Sequence, residues 1–170
     1  MTTRVHSSFA IASFLPFALW PLVGCNGGSG ETGKDAEAVV QRLAAAWNTQ
    51  DLGGLETVFA PDAVQEDVTS GAKWQGLSEI RASYRDTWQA IPDVQTEVTQ
   101  AIVAGEWIAW EWTMTATHTG DFPDLPATGR RFTLRGVSIS RVRDGKILSQ
   151  RDYYDQATFL RQVGAFPGGS

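Results

Sequence analysis

Residues 131–154 read RFTLRGVSISRVRDGKILSQRDYY, and this stretch decides the fold class. Phe132, Leu134 and Gly136 alternate with charged or polar neighbours, the period of a strand with one buried face. Asp144-Gly145 then interrupts the run. Two residues that tolerate a positive φ, set between alternating segments, signal a tight β-hairpin turn. Residues 131–143 and 147–154 are therefore two long antiparallel strands. In the second, Leu148, Gln150, Asp152 and Tyr154 share one face, and Ile147, Ser149, Arg151 and Tyr153 share the other.

Working outward, residues 107–119 (WIAWEWTMTATHT) form another long strand. Ile108, Trp110, Trp112, Met114, Ala116 and His118 lie on one face, and Glu111, Thr113, Thr115 and Thr117 on the other. Val94, Thr96 and Val98 begin a strand before it. The Gly- and Pro-rich residues 120–129 are a loop, and residues 156–163 a short closing helix. Upstream the period is helical. Ala36, Val39, Val40, Leu43, Ala46 and Trp47 make one apolar stripe, with Asp35 as N-cap. Leu55, Val58 and Phe59 suggest a short second helix before Pro61, and residues 63–68 a short strand. Leu77, Ile80, Tyr84 and Trp88 mark a third helix that ends at Pro92. Helices followed by consecutive antiparallel strands predict an α+β domain, with a curved antiparallel sheet wrapped around N-terminal helices as a cone.

The chain has 170 residues, 42% of them hydrophobic and seven of them Trp, enough to bury the core of one domain. The net charge of −5 comes without a basic stripe and argues against nucleic acid as a partner. One cysteine, Cys25, rules out an intrachain disulfide, and two distant histidines, His6 and His118, leave no set of metal ligands. Neither a metal nor another cofactor is expected. Arg4, followed by apolar residues 9–23 that are too short to span a bilayer comfortably, reads as a secretion signal. It ends in Leu22-Val23-Gly24-Cys25. The expected layout is a signal over 1–24, Cys25 with a flexible tether to residue 34, a domain over 35–165, and a tail over 166–170.

Two resemblances extend this reading. Leu22-Val23-Gly24-Cys25 resembles the lipobox of bacterial lipoproteins, which implies lipidation of Cys25 and anchoring at the cell envelope. The second rests on His118-Thr119-Gly120, residues 126–132 (PATGRRF), 141–147 (RVRDGKI), 151–155 (RDYYD) and 160–164 (LRQVG). Residues 45–48 and 60–62 match more loosely. Together they resemble the SnoaL-like polyketide (ester) cyclases of the nuclear transport factor 2-like superfamily. That resemblance implies a cofactor-free ring closure in which one aspartate, here Asp152, is the general acid/base. It also implies a homodimer through the outer face of the sheet. The family's polar helpers are replaced: Gly136 and Ser138 stand where a glutamine and a histidine face the substrate, and Gln65 stands for an asparagine.

His118, on the Trp110–Trp112 face, is a second catalytic candidate. Gln65, Trp110, Trp112, Met114, Ser138 and Tyr154 are candidates for contacts with a small hydrophobic substrate or ligand. Three functions stay open at this point. One is a cyclase or isomerase acting on an apolar carbonyl compound. Another is a non-catalytic binder of a hydrophobic ligand or a protein. The third is an epoxide hydrolase using Asp152 and Arg135. A cavity in which Asp152 points inward, half-buried and unpaired, favours the first; a filled cavity, or an Asp152 locked to an arginine, favours the second.

Overall fold

A computed structural model describes residues 29–166 of the chain. The elements, in order, are α1 (Ser29–Thr49), α2 (Leu55–Val58), β1 (Phe59–Asp67), β2 (Ala72–Gln75), α3 (Leu77–Ala90), β3 (Gln95–Ala104), β4 (Trp107–Thr117), β5 (Arg131–Arg143), β6 (Lys146–Tyr154) and α4 (Gln156–Val163). The signal segment and Cys25 lie outside the described residues.

The six strands form one sheet in the order β2-β1-β6-β5-β4-β3. From β3 to β6 every pairing is antiparallel, as the alternation predicts. Asp144 and Gly145 take positive φ of 51° and 67°, so the turn between β5 and β6 is of the expected kind. Two features differ from the sequence reading. β1 lies beside β6 in parallel, which makes the sheet mixed. The four-residue β2 adds an edge beyond β1. Register shifts in β1, β3 and β6 mark bulges, which bend strands and increase their twist, and the sheet is curved accordingly.

The concave face is packed against the helices. Ala36, Val39, Val40, Leu43 and Ala46 of α1 are buried, as are Ile80, Tyr84 and Trp88 of α3. Both sets recur at helical spacing, which is why these segments are helices pressed on a core. α1 begins at Ser29, before the expected cap at Asp35, so residues 29–34 are helix and not tether. Once the apolar face is docked, each further turn adds hydrogen bonds at little extra cost. Asn48, at the end of α1, grips β3 through both backbone groups of Thr96: its Oδ1 accepts from the N–H at 2.6 Å and its Nδ2 donates to the C=O at 2.9 Å. No described helix is long and apolar enough to cross a membrane.

Candidate active site

The register of the sheet assembles the site row by row. Asp152 on β6 lies opposite Ser138 on β5, which lies opposite Trp110 on β4. On its other side Asp152 is in register with Asp67 of β1. Register partners share a face, and here it is the concave one, where Tyr84 of α3 comes down onto Gln65.

Three neutral donors hold the Asp152 carboxylate. Ser138 Oγ donates to Oδ1 at 2.5 Å, Gln150 Nε2 to Oδ1 at 2.9 Å, and Gln65 Nε2 to Oδ2 at 2.8 Å. Two indoles stand behind these donors. Trp112 Nε1 donates to Ser138 Oγ at 2.9 Å. Trp110 Nε1 donates to Ser140 Oγ at 3.2 Å, and Ser140 donates to Gln150 Oε1 at 3.3 Å. Both chains end on Oδ1, which therefore receives two bonds, while Oδ2 receives one. The residue itself is only half-buried.

No Lys, Arg or His lies within 4 Å of the Asp152 carboxylate among the described residues. Arg151, its neighbour, points to the opposite face and pairs with Glu66 at 3.4 Å. Burial pushes the Asp152 carboxyl above the ordinary carboxylate range. The bonds from Ser138, Gln65 and Gln150 pull the other way without cancelling it, and the charge of Asp67 adds to the rise. Tyr84 and Tyr154 are also raised, first by burial and then by the carboxylates near them, so both hydroxyls stay protonated over the working pH range.

Other candidates fall into three groups. Gln65, Ser138, Trp110 and Trp112 come together, but as the buried support of Asp152. Trp112 packs against Gly136: a Cβ there would sit 2.2 Å from the indole. The space into which a side chain at 136 would project is thus taken by an aromatic ring from β4. Met114 and Tyr154 keep partial exposure on the same face, and Tyr154 donates to Asp67 Oδ2 at 2.8 Å. His118 and Arg135 are not brought to the site. His118 lies eight residues beyond Trp110, about 25 Å along the strand. It is fully buried there, stacked on Phe122 at 5.0 Å and 6.3 Å from Phe159. Its Nδ1 meets Thr128 Oγ1 at 3.2 Å, and burial lowers its proton affinity. Arg135 alternates onto the convex face. An epoxide-hydrolase pairing of Asp152 with Arg135 therefore has no geometric support.

The sequence reading missed Gln150 and Ser140 as site residues. The alternation had put Gln150 on the face of Asp152, and that was the available signal. Ser140 needed the register, which alternation within single strands does not give. Two open clefts lie near the sheet. One of about 520 Å3 separates α1 from β3. The other, about 490 Å3, crosses Gly136 between Glu111, Arg135, Tyr153 and Tyr154. Among the described residues no group of three His, Cys, Asp or Glu side chains is arranged to hold a metal ion.

Comparison with known proteins adds an independent line. The model of the SnoaL-like polyketide cyclases matches residues 37–163. The chain belongs to the SnoaL-like polyketide cyclase family. Aklanonic acid methyl ester cyclase DnrD of Streptomyces peucetius is 37% identical over 60 residues, 35% of this chain and 41% of that enzyme, so the alignment spans less than half of it. Nogalonic acid methyl ester cyclase of Streptomyces nogalater is 26% identical over 129 residues, 72% of this chain and 92% of that enzyme. The solved structure of IdmH from Streptomyces antibioticus superimposes with a TM-score of 0.66 at 29% identity, covering 75% of this chain and 97% of that one. Further solved structures with TM-scores of 0.71 and 0.73 share the fold, which is nuclear transport factor 2-like and α+β. This SnoaL-like chain thus carries the expected fold around the Asp152 cluster.

Proposed function

We propose that the protein is a cofactor-independent cyclase or isomerase in which Asp152 is the general acid/base. One observation carries this: Asp152 is half-buried, free of any cation, and held by three neutral donors that orient it without neutralising it. Such a carboxyl is oriented for proton transfer, and its raised proton affinity brings it nearer to neutral pH, where a base for carbon acids works best. Oδ2, with a single hydrogen bond, has a lone pair free for the reacting proton.

The family relatives are named as cyclases of acid methyl esters. The proposed substrate is correspondingly a small hydrophobic ester with an acidic C–H and a second carbonyl in reach. Asp152 removes the proton, and the C–H electron pair becomes an enolate. The enolate carbon bonds to the second carbonyl carbon, whose oxygen becomes an alkoxide. Protonated Asp152 returns its proton to that oxygen, so no reagent is consumed. Met114 and Tyr154 are the concave-face groups open to such a substrate. Ring-forming β-keto methyl esters, assayed by product mass and chirality, test the reading: turnover with the wild type that falls 10²- to 10⁴-fold in Asp152→Asn supports it. Absence of turnover across the series, or turnover untouched by the substitution, removes it.

A non-catalytic binder is the second reading, favoured by the Trp112 ring that fills the space over Gly136. The two part on the same assay, since a binder gives saturable ester binding without product. For either function the proposed location is the cell envelope, with lipid on Cys25 as the membrane anchor.

A further inference from the structure

The mechanism above leaves one titratable group beside the site without a role. Asp67 ends β1, the strand that lies parallel to β6, and its register partner is Asp152. Paired strands run about 4.8 Å apart, and register partners project side chains to the same face. Asp67 is not a loose surface carboxylate. Its Oδ1 accepts from the backbone N–H of Thr69 at 2.9 Å and of Ser70 at 3.1 Å, and its Oδ2 accepts from Tyr154 Oη at 2.8 Å. Tyr154 is locked in turn, because Thr69 Oγ1 bonds its backbone on both sides, donating to the C=O at 3.2 Å and accepting from the N–H at 3.3 Å.

We propose that Asp67, clamped by Tyr154 and the Thr69–Ser70 turn, is the second carboxylate of the site: a fixed negative charge beside Asp152 that sets the pH at which Asp152 gives up its proton. The proposal rests on the reading of Asp152 as the acid/base. Two carboxylates in register interact through their charges, and the charge of Asp67 is one of the causes that raise the Asp152 carboxyl, after burial. Asp67 is held by two backbone N–H groups and a phenol, and Asp152 by a hydroxyl and two amides. The other titratable groups facing Asp152 are Tyr84 from α3 and Tyr154 from β6, both uncharged over the working range. The charged neighbours Glu66 and Arg151 face the other side and pair with each other. Asp67 is therefore the one charge on this face, among the described residues, that can tune Asp152. It is a positioning residue, since it acts through Asp152.

The test is carboxyl-carbon NMR of the full-length chain across pH 2–9, in the wild type, Asp67→Asn and Asp67→Glu. In Asp67→Asn the Asp152 midpoint is expected to fall by about half a pH unit or more, and in Asp67→Glu, which keeps the charge, to return to within about 0.2 units of wild type. An Asp152 midpoint that ignores Asp67→Asn, or an Asp67→Glu that behaves like Asp67→Asn, overturns the proposal. The same wild-type spectra report separately on the acid/base reading. A raised Asp152 midpoint with no Asp67 effect defeats only the pairing, whereas an ordinary midpoint defeats the reading beneath it.

Discussion

At the scale of single residues, Asp152 costs the fold stability when it is ionised. Burial raises its carboxyl, so the folded state binds the proton more tightly than the unfolded state does. The resulting stability is present in full below the unfolded pKa, near 3.9, and is lost as pH rises through the higher folded value. Asp152→Asn mimics the protonated form. Its thermal midpoint is expected to exceed that of the wild type at neutral pH, with the gap closing as pH approaches 4; calorimetry at a series of pH values checks this. Gly136 supports a second expectation. A Cβ there meets the Trp112 indole, the ring must move, and the Trp112–Ser138 bond opens. Gly136→Ala is expected to cost about 1–3 kcal/mol in denaturant unfolding, as overpacked cores do, and to disturb the Asp152 midpoint. The inward face of Asp152 was legible in the alternation of its strand. Its supports were not, because Ser138, Gln150 and Gln65 acquire their roles only when three strands align.

Among elements, what the sequence showed and what it hid have physical causes. β5, α3 and α4 stand at the residues their periodicities predicted. β5 has a long alternation and a positive-φ turn at its end, α3 a clean stripe before Pro92, and α4 a cap at Asp155 and a left-handed Gly164. β2 was missed because four residues, AKWQ, are too few for a period to emerge. The parallel β1–β6 pairing was missed because nothing local records which strand lies beside a sheet edge. His118 shows the same limit. Alternation placed it correctly on the concave side of β4, but not how far along the strand from Asp152. It works instead as a buried pin for the loop between β4 and β5, accepting from Gly129 N–H through its backbone C=O. Because burial lowers its proton affinity, the stability it lends is present above an unfolded value near 6.5 and is lost as pH falls toward the lower folded value. His118→Gln is expected to weaken the fold by about 1–3 kcal/mol at pH 7 and to flatten the fall in thermal midpoint between pH 7 and 5, measured by circular dichroism.

For the whole molecule, family membership and fold agree with the sequence reading, and the cone is held by α1 and α3 against a sheet bent at three bulges. Asp67 and Asp152 lie on the concave side, while Arg151 and Glu66 pair with each other on the convex side. A neutral ester should accordingly be preferred over the corresponding free acid, with kcat/KM at least tenfold higher, and Asp67→Asn should narrow that ratio; paired assays on one ester and its hydrolysed acid check both. The proposed anchor is a property of the full chain as well. Expressed in a bacterium grown with radiolabelled palmitate, the wild type is expected to take up label and sediment with membranes, and Cys25→Ser to do neither.

The most direct measurement is the carboxyl-carbon titration of Asp152 in the full-length chain, with Asp152→Asn to assign the signal. A midpoint clearly above the ordinary 3.9 is expected, and it would mean a desolvated carboxyl poised to carry a proton. A midpoint at or below 3.9 would mean that the three donors outweigh burial, and it would contradict general acid/base catalysis by Asp152.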